Sequence, residues 1–203
     1  MGILDLNSKD SIKTFKDWYT QKYQTVDCIV NNAGFAFWKD GFIKYEYKGD
    51  ASDKVVFEET FLCNFDGTIF FQETMSNCIN ANGIVIFLAS TAGQFAFNFL
   101  KSKEIQSKFL DSNLNLQRLY ELKSEMLAGI DTGTLESSGW PRWAYGLSKT
   151  FLMFAVGHLA NLPEYVDRNI QMYNMCPGFC QTNMTRDGEP PKSAEEGADT
   201  IIW

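Results

Sequence analysis

The sequence is poor in histidine: His158 is the only one, and it stands alone in an apolar helical stretch. Cys176 and Cys180 are spaced like half of a metal site but have no histidine beside them, so a zinc centre is not expected. The five cysteines, Cys28, Cys63, Cys78, Cys176 and Cys180, are odd in number and dispersed, which excludes a disulfide framework and leaves reduced, structural thiols. Positive charge is also scarce. Eighteen Lys and Arg against 25 Asp and Glu give a formal net charge of -7, an argument against nucleic acid or an anionic membrane as the main partner. No apolar run is long enough to span a bilayer; the longest surrounds 84–88. The opening MGILDLNSKD lacks a basic flank followed by an apolar stretch, so no signal peptide is read. A soluble, intracellular protein of the cytoplasm is the expectation.

What is present suffices for one buried core. Hydrophobic residues make up 45% and aromatics 15%, and no repeat, low-complexity tract or linker divides the chain, so residues 1–203 read as one domain. Three short apolar runs read as buried parallel strands: 26–30 (VDCIV), 84–88 (IVIFL) and 170–175 (IQMYNM). Helical spacing marks 10–23, with Ile12, Phe15, Trp18 and Tyr19 on one face. Two more helices are predicted over 57–75 and 143–162, the latter ended by Pro163. Ser193 and Glu196 form a capping pattern that opens a last helix. Residues 98–130 mix charge with Leu114, Leu119, Leu122 and Met126, which predicts one or two amphipathic helices on the surface. The fold class is therefore α/β with right-handed parallel crossovers.

Ligand sites in such folds form beyond the carboxyl ends of the strands. Four features fall there. Asn31, Asn32, Ala33 and Gly34 follow the first strand; small residues let a ring or ribose approach the backbone, though an ordinary turn has the same composition. Ser90 ends the second run, where a hydroxyl also serves as a helix cap. Tyr145 and Lys149 lie four apart on a predicted helix, so phenol and ammonium share a face, and the cation should lower the tyrosine pKa. Asn64, in CNFDGT, is the fourth; taken alone it reads as a solvent-facing or packing residue.

The order NNAG, Asn64, Ser90, Tyr145-x-x-x-Lys149, then Pro177-Gly178 and Thr182, resembles the short-chain dehydrogenase/reductase family from its third strand onward. Ser90 and Tyr145 are 55 residues apart, far more than in many members of that family. The carbonyl reductases carry a helical insertion there, placed at about 98–138, and GWPRWAYGLSK, CPGFCQTNM and KSAEEGADT are similar to theirs. Plant-type ketone reductases of the same long-insert group fit equally.

The resemblance implies a doubly wound, Rossmann-type parallel sheet and an oxidoreductase acting on small-molecule ketones, aldehydes or quinones. It implies Tyr145 as proton donor, Ser90 on the carbonyl oxygen, Lys149 on the nicotinamide ribose, and Asn64 holding a relay water. It places Asp5 and Leu6 at the adenine, and 31–34, Pro177, Gly178 and Thr182 along the cofactor. Trp140, Trp143 and Phe179 are candidates for the substrate wall, with plain core aromatics as the alternative. NADPH is the implied cofactor and the residues present leave NAD open; a monomer is implied because the insertion covers the face that otherwise makes oligomers.

The family's opening T-G-x-x-x-G-x-G turn has no counterpart here. The fold is therefore expected to lack the first two strand–helix units and the last strand, leaving Asp5 without a strand partner and VDCIV as an open sheet edge. That gap motivates a second reading, a cofactor-free remnant or binding module. An isomerase or epimerase on the same scaffold is a third.

Overall fold

The computed structural model describes residues 2–37, 48, 52–185 and 189–202. Its centre is a sheet of three parallel strands, β1 (Val26–Asn31), β2 (Ile79–Leu88) and β3 (Gln171–Met175), in the order β1-β2-β3. Cys28 pairs with Ile84, and Ile84 in turn with Gln171, so the three carboxyl ends finish side by side at Asn31, Leu88 and Met175. Parallel pairing demands a crossover between each pair, and the helical segments between the strands supply it. This is an α/β fold with a Rossmann-type parallel sheet, three-stranded among the described residues. The far edge of β1 has no strand beside it among the described residues, and Cys28 and Val30 on it are exposed.

Residues 2–5 form no strand. They lean instead on helix α1 (Lys9–Lys22), whose N-cap Ser8 accepts from the Ser11 N–H. The Leu6 carbonyl presses on Gly67, where a Cβ would stand 2.0 Å from that oxygen, so only glycine fits.

The single helix expected over 57–75 is three pieces: α2 (Ser52–Phe61), a π-helical turn (Leu62–Gly67) and α3 (Thr68–Met75). After β2 come α4 (Thr91–Asn98), α5 (Lys103–Phe109) and α6 (Leu116–Asp131). The region 98–138 thus contains two helices, and α6 buries Leu119, Leu122, Met126 and Ile130. Lys123 pairs with Asp66 of the π turn at 2.7 Å, and Lys54 of α2 pairs with Asp131 at 2.7 Å.

Helix α7 (Ala144–Leu159) is the hub, touching α2, the π turn, α4, α6 and β3. Its high apolar content, from Leu147 through Leu159, suits burial on several sides. Phe151 is its key anchor, meeting Phe61 at 5.2 Å and Phe109 at 5.0 Å edge to face, each such pair worth about 0.5–1.5 kcal/mol beyond area burial. Pro163 opens a short helix, α8 (Pro163–Val166), where its fixed φ suits the first turn. The capping pair holds as the sequence suggests. The Ser193 N–H donates to Glu196 Oε2 at 2.7 Å and the Glu196 N–H to Ser193 Oγ at 3.1 Å, ahead of α9 (Ala194–Ile202).

Candidate active site

Two helix starts bring the central residues together. Ser90 caps α4, its Oγ accepting from the Ala92 N–H at 3.1 Å. Tyr145 is the second residue of α7. The two helices pack at backbone distance because small residues line the seam: a Cβ on Gly93 would stand 2.8 Å from the Lys149 carbonyl carbon, and one on Gly146 2.9 Å from the Ala96 Cβ. Thr150 Oγ1 fastens the seam by donating to the Gly93 carbonyl at 2.7 Å. Ser90 thereby reaches the Tyr145 phenol with its side chain.

Lys149 lies one helical turn beyond Tyr145 and is buried. Its Nζ donates to the Leu88 carbonyl at 2.6 Å and sits 5.8 Å from the Tyr145 ring centroid. Burial in low dielectric holds its pKa down to about 8, against the pull of Cys63 and Cys176. Tyr145 departs from the sequence expectation. Its pKa is raised by burial, with Ser90 pulling the other way and Cys176 adding to the rise. The lysine does not reverse this, because its Nζ is turned to the Leu88 carbonyl and its charge is itself disfavoured by burial.

Asn64 sits in the π turn, buried. Its Oδ1 accepts from the Phe35 N–H at 2.9 Å, and its Nδ2 donates to the Phe35 carbonyl at 2.9 Å and to Ser148 Oγ at 3.1 Å. Its side chain is therefore a clasp on the loop after β1, with its amide hydrogens given to protein partners. The clasp seats Gly34 over Lys149: a Cβ there would lie 3.1 Å from Asn64 Oδ1 and 3.5 Å from Lys149 Nζ. Asn31 is buried and donates to Gln72 Oε1 at 3.3 Å, while Asn32 and Ala33 are exposed beside it.

A cavity of about 810 Å³ opens beyond the carboxyl ends of the strands. It collects Ser90, Tyr145, Trp143, Pro177, Gly178, Phe179 and Thr182 from the sequence candidates. Gly178 has φ +88°, a left-handed turn that glycine adopts freely and that carries the chain from β3 around the cavity. Nine sequence candidates do not line it: Asn31, Asn32, Ala33, Gly34, Asn64 and Lys149, described above, and Trp140, Asp5 and Leu6. Trp140 is 1% exposed and packs on Phe109 and Phe151, so it is a core aromatic and not part of the wall. Asp5 is exposed and closes a local turn by accepting from the Asn7 N–H at 2.9 Å, and Leu6 packs its backbone on Gly67.

The wall also contains residues that sequence reading passed over: Phe37, Thr60, Phe95, Phe99 and Arg142. Phe95 and Phe99 are four apart and so share a face of α4, a signal present in the sequence once Ser90 is taken as a helix cap. Among the described residues no cluster of His, Cys, Asp and Glu is placed to hold a metal, and all five cysteines are free. No helix among them is long and apolar enough to cross a membrane.

Residues 3–102 match the family model for short chain dehydrogenase. The chain is 28% identical over 203 residues to carbonyl reductase (NADPH) 1 of Mus musculus, covering 98% of this chain and 69% of that protein. It is 29% identical over 206 residues to carbonyl reductase (NADPH) 1 of Bos taurus, with the same coverage. Among solved structures, salutaridine reductase from Papaver somniferum superposes with a TM-score of 0.80 at 21% identity, covering 98% of this chain and 75% of that one. The chain is thus similar to short-chain dehydrogenases over residues 3–102 and to NADPH carbonyl reductases over nearly its whole length.

Proposed function

We propose that this protein is an NADPH-dependent oxidoreductase that reduces the carbonyl of ketones, aldehydes or quinones. The observation that carries the reading is the pairing of Ser90 with the Tyr145 phenol on the wall of the cavity, with Lys149 buried one turn behind. The family and the names of the relatives support an oxidoreductase using NADP(H).

The nicotinamide-ribose half of such a cofactor suits the residues present. Gly34 has no side chain to obstruct a sugar, and Lys149 Nζ lies just beneath it. Asn31–34, Pro177, Gly178 and Thr182 would flank the ring, and Lys149 would donate to the ribose hydroxyls. When bound, NADPH supplies the hydride that the carbonyl carbon receives.

The chain's own residues handle the oxygen. Tyr145, whose raised pKa keeps it a protonated acid through neutral pH, gives its proton to the developing alkoxide. Ser90 donates a hydrogen bond to the same oxygen, stabilising negative charge where it forms. Lys149, charged below about pH 8, favours the phenolate left behind. Asn64 acts at one remove, fixing the loop that seats the ribose. Phe179 and Trp143 keep the reacting carbonyl away from bulk water. We further propose that it works in the cytoplasm and as a monomer, the latter supported by α6, which covers α2 and the π turn through the Lys54 and Lys123 ion pairs.

The test is consumption of NADPH with a panel of aromatic ketones, aldehydes and quinones. Tyr145→Phe should keep NADPH binding and lose reduction by about 100-fold or more. Turnover undiminished in that variant would overturn the assignment.

A further inference from the structure

The cavity wall is largely apolar, with Phe37, Phe95, Phe99, Trp143 and Phe179 contributing rings. Among the described residues that line it, Arg142 carries the only formal charge. Arg142 lies three residues before Tyr145, at the approach to α7, and its Nη2 is 3.0 Å from Glu136 Oε2. The two side chains of that pair are 36% and 48% exposed. A half-exposed pair of this kind contributes little to stability, since both charges would be well hydrated apart.

We infer that Arg142 is a specificity-determining residue that selects apolar, aromatic carbonyl substrates bearing a carboxylate. A guanidinium presents a planar fork of donors matched to a carboxylate. Glu136 holds that place in the structure, and a substrate carboxylate can exchange with it at little loss. Trp143, at the N-cap of α7, offers no side-chain acceptor to the helix start, so the positive end of the helix adds to the attraction for an anion. The chain's net charge of -7 works against anions at long range, which makes a local cation necessary for any acidic substrate to dwell here.

A second observation points to a polar ligand in the same cavity. Thr60 is 0% exposed, lines the wall from α2, and its Oγ1 has no hydrogen-bond partner among the described residues. Buried hydroxyls are ordinarily satisfied, so an orphan on a cavity wall marks a place for a ligand's polar atom. A purely hydrocarbon ketone would use neither Thr60 nor Arg142.

The inference rests on the proposed reductase activity only for what then happens to the carbonyl, so binding and turnover are read separately. Calorimetric titration of the full chain with oxidised NADP+ present, which cannot reduce the ketone, compares 4-acetylbenzoate with its neutral methyl ester, and reduction is assayed separately with NADPH. The acid should bind at least tenfold more tightly than the ester. Arg142→Gln should reduce that preference at least tenfold, Arg142→Lys should restore part of it, and Glu136→Gln should strengthen acid binding several-fold. Equal binding of acid and ester, binding of neither, or a preference untouched by Arg142→Gln would overturn the inference. Arg142-dependent binding of the acid without its reduction to the alcohol would leave this selectivity standing and overturn the reductase reading instead.

Discussion

The amide of Asn64 holds both backbone polar groups of Phe35, accepting from its N–H and donating to its carbonyl, each at 2.9 Å. One side chain in a π turn thus sets the path of the loop after β1. Replacing it with leucine leaves the Phe35 groups and Ser148 Oγ without this partner. Asn64→Leu should cost about 2–4 kcal/mol in urea denaturation. NADPH affinity should weaken with it, since Gly34 loses its seat over Lys149. A variant with unchanged stability would show that the clasp is incidental.

Lys149 ties stability to pH. Its folded pKa lies near 8, below the ordinary value of 10.5, so between these limits the unfolded chain binds more protons than the folded one. Stability contributed by this residue is therefore lowest below pH 8 and rises as pH climbs toward 10.5. Lys149→Met removes the ionisation. The wild-type chain should gain stability relative to Lys149→Met between pH 8 and 10, measured by chemical denaturation at each pH. A difference that stays flat across that window would contradict a buried, desolvated lysine.

Trp140 and Trp143 are separated by two residues yet belong to different parts of the molecule. Trp140 lies among Phe109 and Phe151, whereas Trp143 faces the cavity. Trp140→Ala should lower stability by about 3–5 kcal/mol while leaving KM unchanged once folded fraction is allowed for. Trp143→Ala should do the reverse, raising KM with a smaller loss of stability. Thermal melts and steady-state kinetics on both variants check the pair.

Gly93 sets the distance between α4 and α7. A methyl group there would stand 2.9 Å from the Thr150 nitrogen and from Met153 Sδ. Gly93→Ala should push α4 outward, with a loss of about 1–3 kcal/mol. Because Ser90 caps that helix, kcat should fall as well. A kcat unaffected by the substitution would separate the α4 seam from the placement of Ser90.

Much of this was legible in the residues. The strands VDCIV, IVIFL and IQMYNM were marked by short apolar runs ending in turns, and each appears near its expected place. The Ser193–Glu196 cap was legible because its pattern is local. What sequence could not disclose depended on tertiary partners. The π turn at Asn64 is held by Phe35, 29 residues away, and no periodicity records that. Helix α4 was not read from the sequence, because Phe95 and Phe97 within it and Phe99 just after it alternate in a way that hides a helical face. Trp140 and Trp143 had equal claims on the cavity until α7 and α5 fixed which ring pointed inward. The direction of the Tyr145 shift also escaped, since spacing gives the neighbour but not the burial that outweighs it.

The most direct test of the account follows one hydrogen. The protein is incubated with NADPH deuterated at the transferring position of the nicotinamide and an aromatic ketone, and the alcohol is read by mass spectrometry. The account predicts one deuterium at the carbinol carbon, formed by the wild-type chain and falling by about 100-fold or more in Tyr145→Phe. An alcohol without deuterium, no alcohol at all, or full labelling in Tyr145→Phe would contradict it.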